Sequence, residues 1–131
     1  MDPQKTTQIG YNDGITYIDI NPDDIQGKIA IEIYPKLLET DPADDVLPLQ
    51  LTVRYSNPAT GKKLFEYVGI ALFKATYGRG SASEEHERCL KRDVWTNALG
   101  FFRGIICEKL KGTGLEKFLL PQMSDEEIYN I

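Results

Sequence analysis

The sequence predicts an α+β protein, in which a four-stranded antiparallel sheet is followed by one long helix, an apolar connector and a short C-terminal helix. Before residue 77, apolar and polar residues alternate in several runs, which is the period of a half-buried strand. After residue 95, apolar residues recur every three or four positions, which is the period of one helix face. A short turn at 57–61 joins the last two strand-like runs and favours antiparallel pairing.

Turn-forming residues bound the first three strands. We expect a first strand at 15–20, whose start extends toward Gln8, a second at 28–36 and a third at 49–55. In the second strand every other residue is isoleucine from Ile29 to Ile33, so this strand is expected to be half-buried. An acidic, proline-bearing loop at 41–45 separates the second and third strands.

The fourth strand, at 62–77, is apolar on both faces. One face has Leu64, Val68, Ile70 and Leu72, and the other has Phe65, Tyr67, Ala71 and Phe73. A single helix covers only one face of a sheet, so we expect the aromatic face to meet a second protomer, the connector or a ligand. The alternative is that Tyr67 and Phe73 are core residues, since a central strand is commonly buried on both sides.

The long helix has a broad apolar stripe from Trp95 to Leu110, which must face a core or a partner. Its end is predicted near Lys111, because the glycines at 112 and 114 can adopt positive φ. Gly100 and Gly104 lie on one helix face and reduce helix propensity, which indicates close approach of another backbone. That backbone belongs either to the sheet of the same chain or to a partner protomer.

An apolar connector follows at 118–120 and ends at Pro121. Ser124 is then followed by acidic residues, which is the pattern of an N-cap and first helical turn. The sequence therefore predicts a short second helix near the C-terminus.

Length and composition predict a single domain over residues 1–131. Hydrophobic residues make up 41% of the chain, which argues against disorder, and no apolar run approaches the roughly 20 residues of a membrane span. The net charge of −5, without a basic cluster, disfavours nucleic acid as a partner. The N-terminus lacks a secretory signal and the chain has 2 cysteines, so we expect a cytoplasmic protein that does not insert into membranes.

The residues that could perform catalysis or bind a metal do not form a complete site. His86, the only histidine, precedes Cys89 by one helical turn, but no further ligands complete a zinc site. The aspartates at 23–24 and 41–45 lack the spacing of a calcium loop, and the Gly-Lys pair at 61–62 lacks the first glycine of a phosphate loop. We therefore expect no enzyme activity, no metal and no cofactor.

The chain resembles the SecB family of export chaperones and SecB-like proteins. The resemblance covers most of the chain, and its most specific parts are the glycine-isoleucine strand at 68–73 and the order of long helix, glycine break and leucine-proline connector. It implies a cytoplasmic, ATP-independent, holdase-type chaperone that binds unfolded or extended apolar polypeptides in a groove between sheet and connector. It also implies a homo-oligomer, dimer or tetramer, and a role in protein transport.

The resemblance further implies which residues form these surfaces. The implied peptide-binding residues are Phe65, Tyr67, Phe73, Phe118, Leu119 and Leu120. Gly100 and Gly104 would lie at the oligomer interface. The family's cysteine- and histidine-containing tail has no counterpart, so coupling to the export translocase is not implied.

Two alternatives remain open. The first is a dedicated chaperone for one partner, such as an antitoxin. The second is a non-catalytic structural or regulatory interaction protein, whose aromatic face is buried permanently in an oligomer.

Overall fold

The computed structural model describes residues 6–40, 45–75 and 84–131. In chain order its elements are β1 (Thr6–Ile18), a 3-10 helix (Pro22–Ile25), β2 (Ala30–Leu37), β3 (Val46–Asn57), β4 (Lys62–Ala75), α1 (Glu84–Lys109), a second 3-10 helix (Leu115–Lys117) and α2 (Asp125–Tyr129). Four antiparallel strands precede one long helix and a short C-terminal helix. The predicted fold class is confirmed.

The bounds of β1 and α1 differ most from the prediction, and those of β2 and β3 differ by up to three residues. β1 starts at Thr6 and ends at Ile18, and α1 starts at Glu84, before its apolar stripe begins. The middle of β1 contains Asn12, Asp13 and Gly14, which favour turns in the sequence. Pairing with β4 nevertheless keeps these residues in the strand. The predicted strand residues 76–77 and most of the acidic loop at 41–45 lie outside the described residues.

The strand order is β1-β4-β3-β2, so β3 and β4 are central and β1 and β2 form the edges. The β1–β4 register shifts twice, between Gln8 and Gly10 and between Ile15 and Tyr17. The β2–β3 register continues without a shift from Ala30 to Leu37. The two edges of the sheet therefore differ in regularity.

The core lies between α1 and one face of the sheet. The buried residues of α1 are Leu90, Val94, Trp95, Ala98, Phe102 and Ile106. Opposite them, β3 and β4 bury Leu49, Leu51, Val53, Tyr55, Phe65, Tyr67, Ala71 and Phe73. The helix thus packs on the side of the aromatic face of β4. On the predicted opposite face Val68, Ile70 and Leu72 are half-buried, whereas Leu64 is buried. Alternation along the strand does not reveal which face a helix covers; here it is the face whose rings bury more apolar area.

Candidate functional site

The three aromatic residues of β4 that were predicted to line a groove are buried in the core, on the side of the sheet that faces α1. Phe65, Tyr67 and Phe73 are each 0% exposed. The Tyr67 ring meets the Phe102 ring edge to face, with ring centres 6.0 Å apart. In this packing the three side chains have no surface that a peptide could contact, so their role in peptide binding stays a prediction.

The hydroxyl of Tyr67 is bound inside the core by an acidic residue of β1. It donates to Asp13 Oδ2 at 2.8 Å, and Lys109 Nζ lies 3.6 Å from the same oxygen. Burial, followed by the hydrogen bond to Asp13, raises the pKa of Tyr67 well above its usual range. This cluster joins an edge strand, a central strand and the end of α1.

Gly69 provides the space in which this cluster packs. A Cβ at position 69 would lie 2.5 Å from Phe102 Cε1 and 2.7 Å from the Tyr67 hydroxyl oxygen. Contacts this short require neighbouring side chains to move. The glycine of β4 therefore lets Phe102 approach the sheet closely.

The connector, residues 118–121, is fixed by two side chains that bind its backbone carbonyl groups. The Tyr55 hydroxyl donates to the Phe118 carbonyl at 3.1 Å, and Arg103 donates to the Leu120 carbonyl at 3.0 Å. Burial raises the pKa of Tyr55 to about 12, so the hydroxyl remains a donor at neutral pH. Leu119, between the two bound residues, is 70% exposed.

The three predicted connector residues therefore have different environments. Leu120 is buried, Phe118 is partly buried against the core, and Leu119 extends into solvent. Leu119 is the most exposed large apolar side chain of the described chain. A connector leucine held on an extended backbone is suited to contact another molecule.

The turn between α1 and the connector lies close to Ile25, in the segment that links β1 to β2. Gly112 and Gly114 have φ of 87° and 92°, as the predicted helix stop requires. A Cβ at Gly114 would collide with the Ile25 side chain. Glu116 accepts from the backbone N–H of Gly114 at 2.7 Å, and its pKa is lowered chiefly by a hydrogen bond from its own backbone N–H.

A row of apolar side chains lies on the edge strand β2. We call Ile31, Ile33, Pro35 and Leu37 the edge shelf; all four are partly buried, and they point to the α1 side of the sheet. The helix packs over β1, β3 and β4, which leaves the shelf at the margin of the covered area. Ile31 pairs with Tyr55, whose hydroxyl binds the connector. Tyr55 therefore links the Ile31 end of the shelf to the connector.

The backbone of the edge shelf faces outward. The N–H of Leu38, just after β2, donates to the Pro48 carbonyl at 2.8 Å. Since hydrogen-bonded positions alternate along an antiparallel pair, the even-numbered residues of β2 bind β3 and the odd-numbered ones direct their backbone groups away from the sheet. No strand of the described chain pairs with this outer edge. It is available to an extended polypeptide.

Gly100 and Gly104 lie on the exposed face of α1. A Cβ at either position would meet no described atom within 4 Å outside the helix itself and the chain neighbours. The two glycines therefore do not seat α1 on the sheet, which was one of the two predicted reasons for their spacing. Their role in an oligomer stays a prediction.

Cys89 and Cys107 are exposed, free thiols. Within residues 6–40, 45–75 and 84–131, no group of three or more histidine, cysteine, aspartate or glutamate side chains is arranged to hold a metal ion. None of the helices in the described parts of the chain combines the length and the apolar character required to cross a membrane.

No protein-family model and no curated protein matches this chain. Its structure is similar to that of the SecB-like chaperone Rv1957 of Mycobacterium tuberculosis, solved in complex with a ChAD peptide from the HigA1 antitoxin Rv1956. The two share 16% sequence identity with a TM-score of 0.51, and the match covers 93% of this chain and 91% of the other. At this identity the similarity establishes the fold alone, and that fold is SecB-like.

Proposed function

We propose that this chain is a cytoplasmic, ATP-independent chaperone that binds extended apolar segments of other polypeptides. The observation that supports it best is the edge shelf, which combines half-buried isoleucines with outward-facing backbone groups and is linked to the connector through Tyr55. Recognition by strand addition uses both features, because backbone pairing provides affinity and alternate side chains provide specificity. The similar mycobacterial chaperone was solved with a peptide bound, which agrees with this mode of action.

In this proposal the client lies along β2 and contacts the connector. Leu119 provides the main connector contact, supported by Phe118 and Leu120, which keep the connector in place. Phe65, Tyr67 and Phe73 would contact a client only if α1 or the connector moved away. We propose them as residues of such an opened groove.

We further propose a homo-oligomer, a dimer or a tetramer, formed through the opposite edge of the molecule. The face of α1 with Gly100 and Gly104 is exposed, and apolar side chains of β1 are exposed as well, namely Ile9, Tyr11 and Ile15. Tyr11 reaches α1, since its ring centre lies 4.9 Å from that of Phe101. Exposed apolar side chains close together on one strand are typical of interaction sites. Because β1 and β2 are opposite edges, assembly would leave the shelf free.

A second candidate is a chaperone dedicated to one partner, such as an antitoxin. It is favoured by the similar chaperone of M. tuberculosis, whose bound peptide comes from an antitoxin. A purely structural interaction protein is the third candidate, and it would have no affinity for unfolded chains.

The experiment that tests the proposal is suppression of aggregation of a chemically unfolded protein, titrated with this chain in the absence of nucleotide. Suppression at near-stoichiometric amounts is the expected result for a general holdase. If aggregation is unaffected, the general activity is excluded, and co-purification from the native host then distinguishes a dedicated partner from a structural assembly. An equal amount of an unrelated acidic protein controls for crowding.

A further inference from the structure

The outer edge of β2 contains one position that cannot donate a hydrogen bond. The outward-facing positions are Ile31, Ile33, Pro35 and Leu37. Proline has no backbone N–H, so the row of outward donors is interrupted between Ile33 and Leu37. Ile31 and Ile33 are therefore the longest run of consecutive outward-facing positions in which each residue has both a backbone donor and a backbone acceptor.

The position of Pro35 does not weaken the fold. In register it lies opposite Leu51 of β3, at a site where β2 directs its backbone groups away from the sheet. Proline occurs in sheets at such outward-facing edge positions, because no ladder hydrogen bond is lost. The missing donor therefore affects only a strand that is added from outside.

We infer that Pro35 limits a client strand on β2 to pairing with Ile31 and Ile33, so that the preferred client is a short apolar-any-apolar segment. This inference depends on the proposed function and specifies its substrate. A client that continues past Ile33 places one of its carbonyl groups opposite the proline ring, where no N–H is present. A carbonyl left without a hydrogen bond lowers the affinity. Extending the apolar segment past Ile33 therefore increases the affinity only slightly.

The side-chain preference follows from the two faces of β2. In antiparallel addition, client residues opposite Ile31 and Ile33 point to the shelf side, where the neighbouring side chains are apolar and partly buried. The residue between them points to the other face, beside Glu32 and Tyr34, which are both exposed. A polar residue is therefore accepted in the middle and an apolar one on either side.

The test measures the affinities of two N-terminally acetylated peptides with identical labelled polar C-terminal flanks, one starting with leucine-serine-leucine and one with leucine-serine-leucine-serine-leucine. In antiparallel pairing the extension past Ile33 is at the N-terminus of the client, so only the longer peptide reaches position 35. The proteins are wild type, Pro35→Val, and Lys36→Val as the matched control. Lys36→Val introduces the same side chain in the same strand, but its N–H faces β3 and adds no outward donor. Affinities are compared at concentrations where sedimentation gives all three proteins the same oligomeric state.

In the wild type and in Lys36→Val, we expect the longer peptide to bind only slightly better than the shorter one. In Pro35→Val the ratio of the two affinities should rise about fivefold, which corresponds to one added net hydrogen bond. Methylation of both leucine amide nitrogens in the short peptide should weaken wild-type binding by at least about fivefold, because it removes the paired donors.

An unchanged ratio in Pro35→Val, or equal binding of the methylated peptide, would overturn the inference while leaving peptide binding itself intact. If the wild type binds neither peptide and suppresses no aggregation, the proposed function fails and the inference fails with it. The two failures are therefore distinguishable.

Discussion

Replacing Leu119 with serine should weaken client binding without unfolding the chain. Leu119 is 70% exposed, so its loss should change the free energy of unfolding by no more than about 0.5 kcal/mol. Complete burial of a leucine side chain provides about 1.5–3 kcal/mol, and most of that remains available for contact with a client. The expected loss of binding free energy is about 1–2 kcal/mol, or roughly 5- to 30-fold in Kd.

The assay is fluorescence anisotropy of a labelled apolar peptide, with the thermal unfolding midpoint measured on the same samples. Tyr17→Ser is the matched control, because Tyr17 is 37% exposed but lies on β1, at the far edge of the sheet from β2. Wild-type affinity in Leu119→Ser, with an unchanged midpoint, would refute the assignment of the connector to the binding surface. An equal loss in both variants would show that exposed apolar area in general, and not this site, binds the peptide.

Three further outcomes follow from the core and the connector. Gly69→Ala places a Cβ 2.5 Å from Phe102 Cε1 and should lower the urea unfolding midpoint by an amount equivalent to about 1–3 kcal/mol. Tyr55→Phe removes the hydrogen bond to the Phe118 carbonyl, which is equivalent to about 1 kcal/mol, so amide exchange of the connector should accelerate about fivefold while that of the core strands does not. Since the pKa values of Tyr55 and Tyr67 are raised in the folded chain, their contribution to stability is complete below the pKa of an unfolded tyrosine, about 10, and decreases as the pH rises above it. Urea midpoints between pH 8 and 11 should show a decline, and Tyr67→Phe should make the decline shallower.

The elements that the sequence predicted well have signals that do not depend on distant residues. The end of α1 is an example, because positive φ at Gly112 and Gly114 is a local requirement that few other residues meet. The N-cap at Ser124 is another, since its side chain accepts from the backbone N–H of Glu127 three positions later. The alternation from Ile29 to Ile33 likewise predicted a half-buried strand.

The orientation of β4 was not available from the sequence. Its two faces are similarly apolar, and the choice between them depends on where α1 packs, which is a contact between residues far apart in the chain. The aromatic face was therefore expected to be uncovered by the helix, whereas Phe65, Tyr67 and Phe73 are buried in the core and Tyr67 contacts Phe102 of α1. The edge shelf was missed for a related reason, because only the strand order shows that β2 has a free edge. Pro35 within an alternating run was the available signal, since proline favours edge strands.

The two edges of the sheet are suited to different kinds of contact. On β1, two register shifts interrupt the strand, so a partner there is expected to contact side chains such as Ile9 and Tyr11 rather than to extend the ladder. On β2 the register is unbroken, and the outward backbone groups at Ile31 and Ile33 can pair with another strand. Because β3 and β4 lie between these edges, a client on β2 and a protomer on β1 do not compete for the same atoms. Substitutions on one edge should therefore leave binding at the other unchanged.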